Sequence, residues 1–400
     1  MTESDCLVSR RPIYGKAMNV AAYELKSNYL EDDVDPEVVQ EQVRILYKMF
    51  TGAGLDEVVG ETKGMVELTP EALAEGLWKT IPKSRVMLGY FEPFDAADGT
   101  LEKLHEITSD GYRLALSGNL STECMESLSD PAHTVVVNVT EYQPEELQDR
   151  VAGLREFKST ITAAGVDTYD DLEFCKALQF DYYQGRFLFK PATQRRTIPV
   201  NRMNMLRLLS KLHDPNIQIP EVEKLVAQDV ALSFKILRYT NSAFVALRRQ
   251  VNSAGHAVRL VGLEMVRTWS SALLLSSVDD KPRELMTSAL IRARMCELLG
   301  ETMGTAEEES FLSAGLFSLL DALLDCSMEQ ALSELPLSEN IKNALTKGTG
   351  PMGQALRCVV AYEQADWNNV EFYGLSSSAI REKYMASIIW ARQINGGLLK

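Results

Sequence analysis

Hydrophobic residues repeat with two different periods in this chain, and the change falls near residue 197. Before it, short β-branched or aromatic runs alternate with helical stretches. The runs predict strands at Val20–Glu24, Gly64–Leu68, Arg85–Tyr90, Arg113–Leu116 and Thr134–Val139. The last of these, TVVVNV, has the composition of a strand buried on both faces. The intervening stretches predict helices at Pro36–Phe50, Pro70–Lys79, Leu101–Ser109 and Glu145–Phe157, and Leu178–Asp181 reads as one more strand before a loop at Gln184–Arg186. Alternation at this pitch argues for a mostly parallel α/β fold, either a barrel or an open sheet. Beyond Arg195-Arg196 the 3.6-residue period takes over. It predicts helices at Met205–Leu212, Glu221–Gln228, Val230–Asn241, Ala254–Val261, Glu264–Ser276, Arg283–Leu299, Phe311–Leu324 and Ile380–Ile394. Gly262 suits a helix stop and Pro220 a first turn. The expected organisation is an α/β domain over residues 1–196 and an all-α domain over 197–400, with the linker in Lys190–Val200.

Charge divides the same way. The whole chain of 400 residues has a formal net charge of -15, and residues 1–197 hold 20 Lys/Arg against 34 Asp/Glu, a net of -14. Such a surface repels phosphate backbones, which argues against nucleic acid as a partner. With 46% hydrophobic and 24% charged residues, the chain is neither disordered nor fibrous. Six cysteines, none in a C-x-x-C pair, fit small buried hydrophobes in a reducing cytoplasm. Residues Met1 to Tyr14 have no apolar core of a signal peptide. Phe311 to Met328 contains Asp321 and Asp325, so it reads as an amphipathic helix and not as a membrane span. The final helix carries an apolar stripe of Ile380, Tyr384, Ile388, Ile389 and Ile394, expected to pack on the core.

The residues alone offer little catalytic chemistry. The four histidines are scattered, so no metal cluster is expected from them. Gly348, Gly350 and Gly353 follow no strand and read as a loop between helices, not a phosphate cradle. Asp321 and Asp325 share a helix spacing and are expected on the solvent face, opposite the leucines. Arg238, Arg248 and Arg249, with Arg259 and Arg267, form a mildly basic region that reads as an ordinary solvated face, with a partner-facing or phosphate-facing patch as the alternative.

Several stretches carry a resemblance. RRPIYGKAMNVAAYEL (Arg10–Leu25) and QGRFLFKP (Gln184–Pro191) are similar to the opening and closing strands of the EAL domain, a cyclic-di-GMP phosphodiesterase barrel. Segments His213–Ala243, Ala257–Arg267, Phe311–Leu324 and Leu332–Leu345 resemble the HDOD domain, a relative of the HD hydrolases. The order resembles the EAL–HDOD signalling family of YuxH type and implies a TIM-like (β/α) barrel of EAL type followed by a helical HDOD domain. The active barrel family uses two divalent cations held by carboxylates and an Asn at strand ends. Position by position, its signature Glu falls on Glu24, its Asn ligand on Glu67, and its next Glu on Gly89, with Glu92 the following acid. Its paired aspartates fall on Ser117 and Gly118. Its Lys falls on Val136, the next Asp on Asn138, and the Glu pair of a later loop on Ala164 and Asp167. Its ligand-contacting Gln and Arg fall on Arg11 and Asn28. In the helical half, Ser318 and Leu319 stand where active HD enzymes have His-Asp.

The resemblance, with these substitutions, implies a barrel with no catalytic residues, no metal and no cofactor. The expected role is a non-catalytic signalling scaffold that acts through unidentified signalling proteins, with a homodimer as one arrangement. Binding of cyclic-di-GMP without hydrolysis is the alternative. The barrel-mouth positions that would carry it are Arg11, Glu24, Glu67, Glu92, Asn138, Asp167 and Gln184.

Overall fold

The computed structural model describes residues 7–28, 53–94, 99–120, 132–192, 200–214, 216–228, 230–241, 253–278, 280–304 and 308–397, with 124, 126, 128 and 251. The chain divides into two compact units. One is Met1–Phe187 with Ala361–Asn368 and Ser376–Arg381, and the other is Leu188–Val360 with Asn369–Leu375 and Glu382–Lys400. The helix expected at Pro36–Phe50 and most of the expected linker fall outside the described residues.

The first unit is a closed barrel of eight strands in sequence order. These are β1 (Val8–Gly15), β2 (Val20–Ser27), β3 (Lys63–Glu67), β4 (Val86–Tyr90), β5 (Arg113–Ser117), β6 (Ala132–Asn138), β7 (Thr160–Ala164) and β8 (Tyr182–Gln184). Strand β1 runs antiparallel to both β2 and β8, while β2 through β8 are parallel neighbours. The reversal is made by a tight turn in which Gly15 donates its N–H to the Asn19 carbonyl at 2.9 Å and Met18 takes a φ of 59°. Between the strands lie α1 (Ala53–Val59), α2 (Pro70–Glu75), α3 (Thr100–Ser109), α4 (Pro144–Leu154) and α5 (Tyr169–Ala177). Their starts follow local rules. Thr69 caps α2 ahead of Pro70 at its first position, and Thr168 forms a capping box with Asp171 at α5.

Strands β1 and β7 were not among the runs singled out by composition. The strand expected at Leu178–Asp181 is instead a helix end and turn. Leu178 caps α5, Gln179 has a φ of 63°, and the Asp181 carboxylate accepts the Ile161 N–H at 3.0 Å. The strand starts one residue later, and Gln184, expected in a loop, is its last residue.

Period two sorts the strand side chains. Val135 and Val137 of β6 are buried under the helices, while Val136 faces the lumen. The middle of the lumen is an apolar plug of Ile13, Ala22, Met65 and Ala115, with Met87, Phe91, Val136 and Tyr182 packed against it. On β3 the alternation sets Lys63, Met65 and Glu67 on one face, so a single strand supplies a cation below the plug, an apolar group within it and an anion above it.

The second unit is helical. Its elements are α6 (Val200–Leu212), α7 (Ile219–Gln228), α8 (Val230–Thr240), α9 (Ala254–Val261), α10 (Leu263–Ser276), α11 (Arg283–Glu301), α12 (Glu308–Phe317), α13 (Leu320–Leu324), α14 (Met328–Ser333) and α15 (Glu339–Lys347). Helices α16 (Gly350–Gln364) and α17 (Ser377–Gly397) follow. The helix expected over Phe311–Leu324 breaks in two, because the Ser318 hydroxyl donates to the Gly315 carbonyl at 2.7 Å and Leu319 leaves helical geometry.

Two further expectations are corrected here. Asp325 is not on a solvent-facing helix stripe. It ends α13 in left-handed geometry, is 4% exposed, and binds Arg202 at 2.7 Å, Lys281 at 2.6 Å and the Ala192 N–H at 2.7 Å. The glycines at 348, 350 and 353 do not form an open loop. Gly348 caps α15, α16 starts at Gly350, and a Cβ on Gly353 would lie 2.2 Å from the Gly348 backbone. In α17, Ile380, Tyr384, Ile388 and Ile394 are buried as expected, while Ile389 is exposed.

Candidate functional site

The C-terminal ends of barrel strands are where this architecture places its chemistry, because the following loops converge there. At that end Glu24 of β2 is 7% exposed. Its Oε2 accepts a hydrogen bond from Gln184 Nε2 at 2.7 Å and faces Arg11 Nε at 3.3 Å. Its other oxygen lies 3.4 Å from Lys26 Nζ, and the same ammonium reaches Glu67 Oε2 at 2.5 Å. The arrangement follows from register. Arg11 is the antiparallel partner of Glu24, Lys26 is two residues along the same strand face, and β8 closes beside β1.

The charges hold one another in place. Burial raises the Glu24 pKa, but Lys26, Arg11 and the Gln184 hydrogen bond outweigh it and leave the carboxyl below its ordinary range. Burial likewise lowers the Lys26 pKa, and the charges of Glu24 and Glu67 more than reverse this. Both shifts favour the charged forms of Glu24 and Lys26.

The remaining expected positions lie on the same rim but in separate groups. Asn138 ends β6, where its amide donates to Glu141 at 2.7 Å and its oxygen accepts from the Thr140 hydroxyl at 2.9 Å. Asp167 accepts from the Arg186 N–H at 3.1 Å and Nε at 3.0 Å. Glu92 is exposed just past β4. The glycine of the closing motif is fixed by contact, since a Cβ on Gly185 would lie 1.8 Å from the Val166 carbonyl oxygen. On the helical unit, Arg238 is exposed on α8 with its guanidinium 6.0 Å from the Phe234 ring, and Arg248 and Arg249 lie outside the described residues.

Lys26 was missed by motif matching, although its i+2 relation to Glu24 was a sufficient signal. It bears on whether a pair of divalent cations fits. The position that would supply an anion on β4 is Gly89, and the space for a side chain there is filled by Phe91, whose ring would be 2.7 Å from a Cβ. At Gly118 a Cβ would lie 2.8 Å from Val137 and 3.0 Å from the Val136 carbonyl. Among the described residues no three His, Cys, Asp or Glu side chains converge as a metal set. The two nearest carboxylates already share an ammonium. The described residues do not fit two divalent cations.

A family model for the HDOD domain matches residues 198–347. A Vibrio cholerae protein named cyclic di-GMP phosphodiesterase CdgJ is 27% identical over 400 residues, spanning 97% of this chain and 93% of its own. The Bacillus subtilis protein YuxH, named as uncharacterized, is 23% identical over 403 residues, spanning 97% and 98%. Residues 198–347 thus match the HDOD domain, and in the chain they follow a closed eight-stranded barrel. Among solved structures, the Bacillus subtilis YkuI protein with an EAL domain, in complex with c-di-GMP and calcium, aligns at 16% identity and a TM-score of 0.37, over 63% of this chain and 71% of its own.

The match to CdgJ along nearly the whole chain overturns the expectation of a non-catalytic scaffold, of a chain that is not an enzyme, and of a sensor that binds without hydrolysis. That expectation counted anions lost from a two-cation plan. It left out Lys26, which sets a positive charge between Glu24 and Glu67 and keeps the mouth a charged, partly buried constellation. Among the described residues, no helix is long and apolar enough to cross a membrane.

Proposed function

We propose that this protein is a cyclic di-GMP phosphodiesterase whose reacting site is the barrel mouth around Glu24. The observation that carries the reading is the alignment of 97% of the chain with a relative named for that activity. The geometry supports it. Arg11 and Lys26 supply positive charge where a phosphodiester's negative oxygens would enter, and charge of that kind counts most in a partly buried site. Glu24 is ionised and aimed by Gln184, so it can accept a hydrogen bond from a water and orient it toward phosphorus. In the step, a bond forms from the water oxygen to phosphorus, one ester P–O bond breaks, and the water's proton passes to the departing ribose oxygen. The ring opens to a linear dinucleotide.

The division into a barrel domain over 1–196 and a helical domain over 197–400 is part of the proposal, as is a reducing cytoplasmic setting, which the five buried cysteines among the described residues favour. The helical domain would receive a partner signalling protein, at a face that includes the exposed Phe234 and Arg238. Incubating the full chain with cyclic di-GMP and separating products by chromatography tests the reading. Linear dinucleotide is expected from the wild type, with loss of about a hundredfold or more in Glu24→Gln. A wild-type chain that leaves cyclic di-GMP intact would overturn it.

A further inference from the structure

At the opposite end of the barrel, below the apolar plug, lies a cavity of about 340 Å³. Four cations stand on its lining: Lys63 at the start of β3, Lys83 just before β4, Arg113 at the start of β5 and Lys158 just before β7. All four are exposed at the rim, and none is ion-paired to a carboxylate among the described residues. Lys83 donates to the Asp110 carbonyl oxygen at 2.9 Å. Two carboxylates of this end are engaged elsewhere. Asp56 binds Arg85 at 2.8 Å, and Asp181 binds Lys16 at 2.9 Å and Arg155 at 3.0 Å. The arrangement runs against the composition of its own half, whose net charge is -14. Like charges gathered over a low-dielectric floor repel one another and focus a positive potential into the cavity.

The floor has a different chemistry. Met65, Met87, Val136 and Tyr182 give it apolar, polarisable walls. The volume is in the range of small-ligand sites and would hold about eleven waters. An inorganic anion would satisfy the rim and leave the floor uncovered. We propose that this cavity is a binding site for a phosphate monoester bearing a planar or apolar group, with the phosphate among Lys63, Lys83, Arg113 and Lys158 and the apolar group on Met65, Met87 and Tyr182. The site is separated from Glu24 by the plug, so the inference stands whether or not the mouth hydrolyses cyclic di-GMP.

Isothermal titration of the full chain at low salt, with phenyl phosphate, adenosine monophosphate and inorganic phosphate as probes, tests it. At least one monoester is expected to bind about tenfold or more tighter than inorganic phosphate. Which monoester binds tells whether the apolar group is a compact ring or a nucleoside. Lys63→Ala and Arg113→Ala, both at exposed positions, should each weaken that binding about fivefold or more, and Glu24→Gln should leave it unchanged. The proposal is overturned if neither monoester binds at about 1 mM, if inorganic phosphate binds equally well, or if Glu24→Gln abolishes binding while the rim variants keep it.

Discussion

Lys26 reaches two carboxylates from one strand position, 3.4 Å from Glu24 and 2.5 Å from Glu67. An ammonium so placed occupies the point between them where a metal ion would otherwise be drawn. Lys26→Leu removes the charge and leaves the two anions facing one another. Manganese binding followed by electron paramagnetic resonance should then tighten about tenfold or more over wild type. Equal binding in the two proteins would show that Lys26 does not set the cation preference. Glu24, Arg11 and Gln184 were legible from motif positions because the register of β1, β2 and β8 brings those matches together. Lys26 and Phe91 were not, because their effect depends on which strand face they share and on what fills the space beside Gly89. His213 makes the same point in the helical unit. It sits 3.0 Å from the Ser271 hydroxyl and edge-on to Phe317, where burial first and the Arg267 charge second lower its pKa to about 3. The ordinary value is 6.5, so the unfolded chain binds the proton more readily between pH 6.5 and about 3. The neutral ring's contribution is whole above pH 6.5 and lost as pH falls toward 3. His213→Gln should flatten the acid side of the stability curve measured by denaturant unfolding across that range. An unchanged slope would place His213 outside the acid response.

Among the elements, the break between α12 and α13 matters more than any long helix. Ending α13 at Asp325 turns a residue expected in solvent into the centre of a buried ion cluster with Arg202 and Lys281, both 4% exposed at the side chain. Burial raises the Asp325 pKa, and the hydrogen bonds from Lys281 and Arg202 more than offset it. Removing the charge would take a carboxylate from the buried Lys281 and leave Arg202 paired with Asp280 at 2.6 Å. Asp325→Ala should cost about 3–5 kcal/mol in urea unfolding, and a loss near zero would mean that water reaches the cluster. Helices were legible where one apolar stripe meets one core, as in Ala254–Val261, which has the bounds the 3.6-residue period indicates. Strand β8 was displaced because the left-handed turn at Gln179 has no compositional mark. The antiparallel β1 escaped composition because its polar residues Arg10, Arg11 and Ser9 hide a strand that the barrel closes on both sides.

For the whole molecule, the change of period near residue 197 reported a real change of architecture, from a closed eight-stranded barrel to helices. Net charge was less informative, because it averages over two ends of one lumen that differ. Glu24 and Glu67 stand above the plug beside Arg11 and Lys26, and four cations stand below it. Under the proposed function, cyclic di-GMP is opened at the Glu24 end. Phosphorus NMR of cyclic di-GMP mixed with wild type, Glu24→Gln and Lys63→Ala tests this. A phosphate monoester signal should grow with wild type and Lys63→Ala and stay absent with Glu24→Gln. No monoester from wild type, or equal growth from Glu24→Gln, would contradict it.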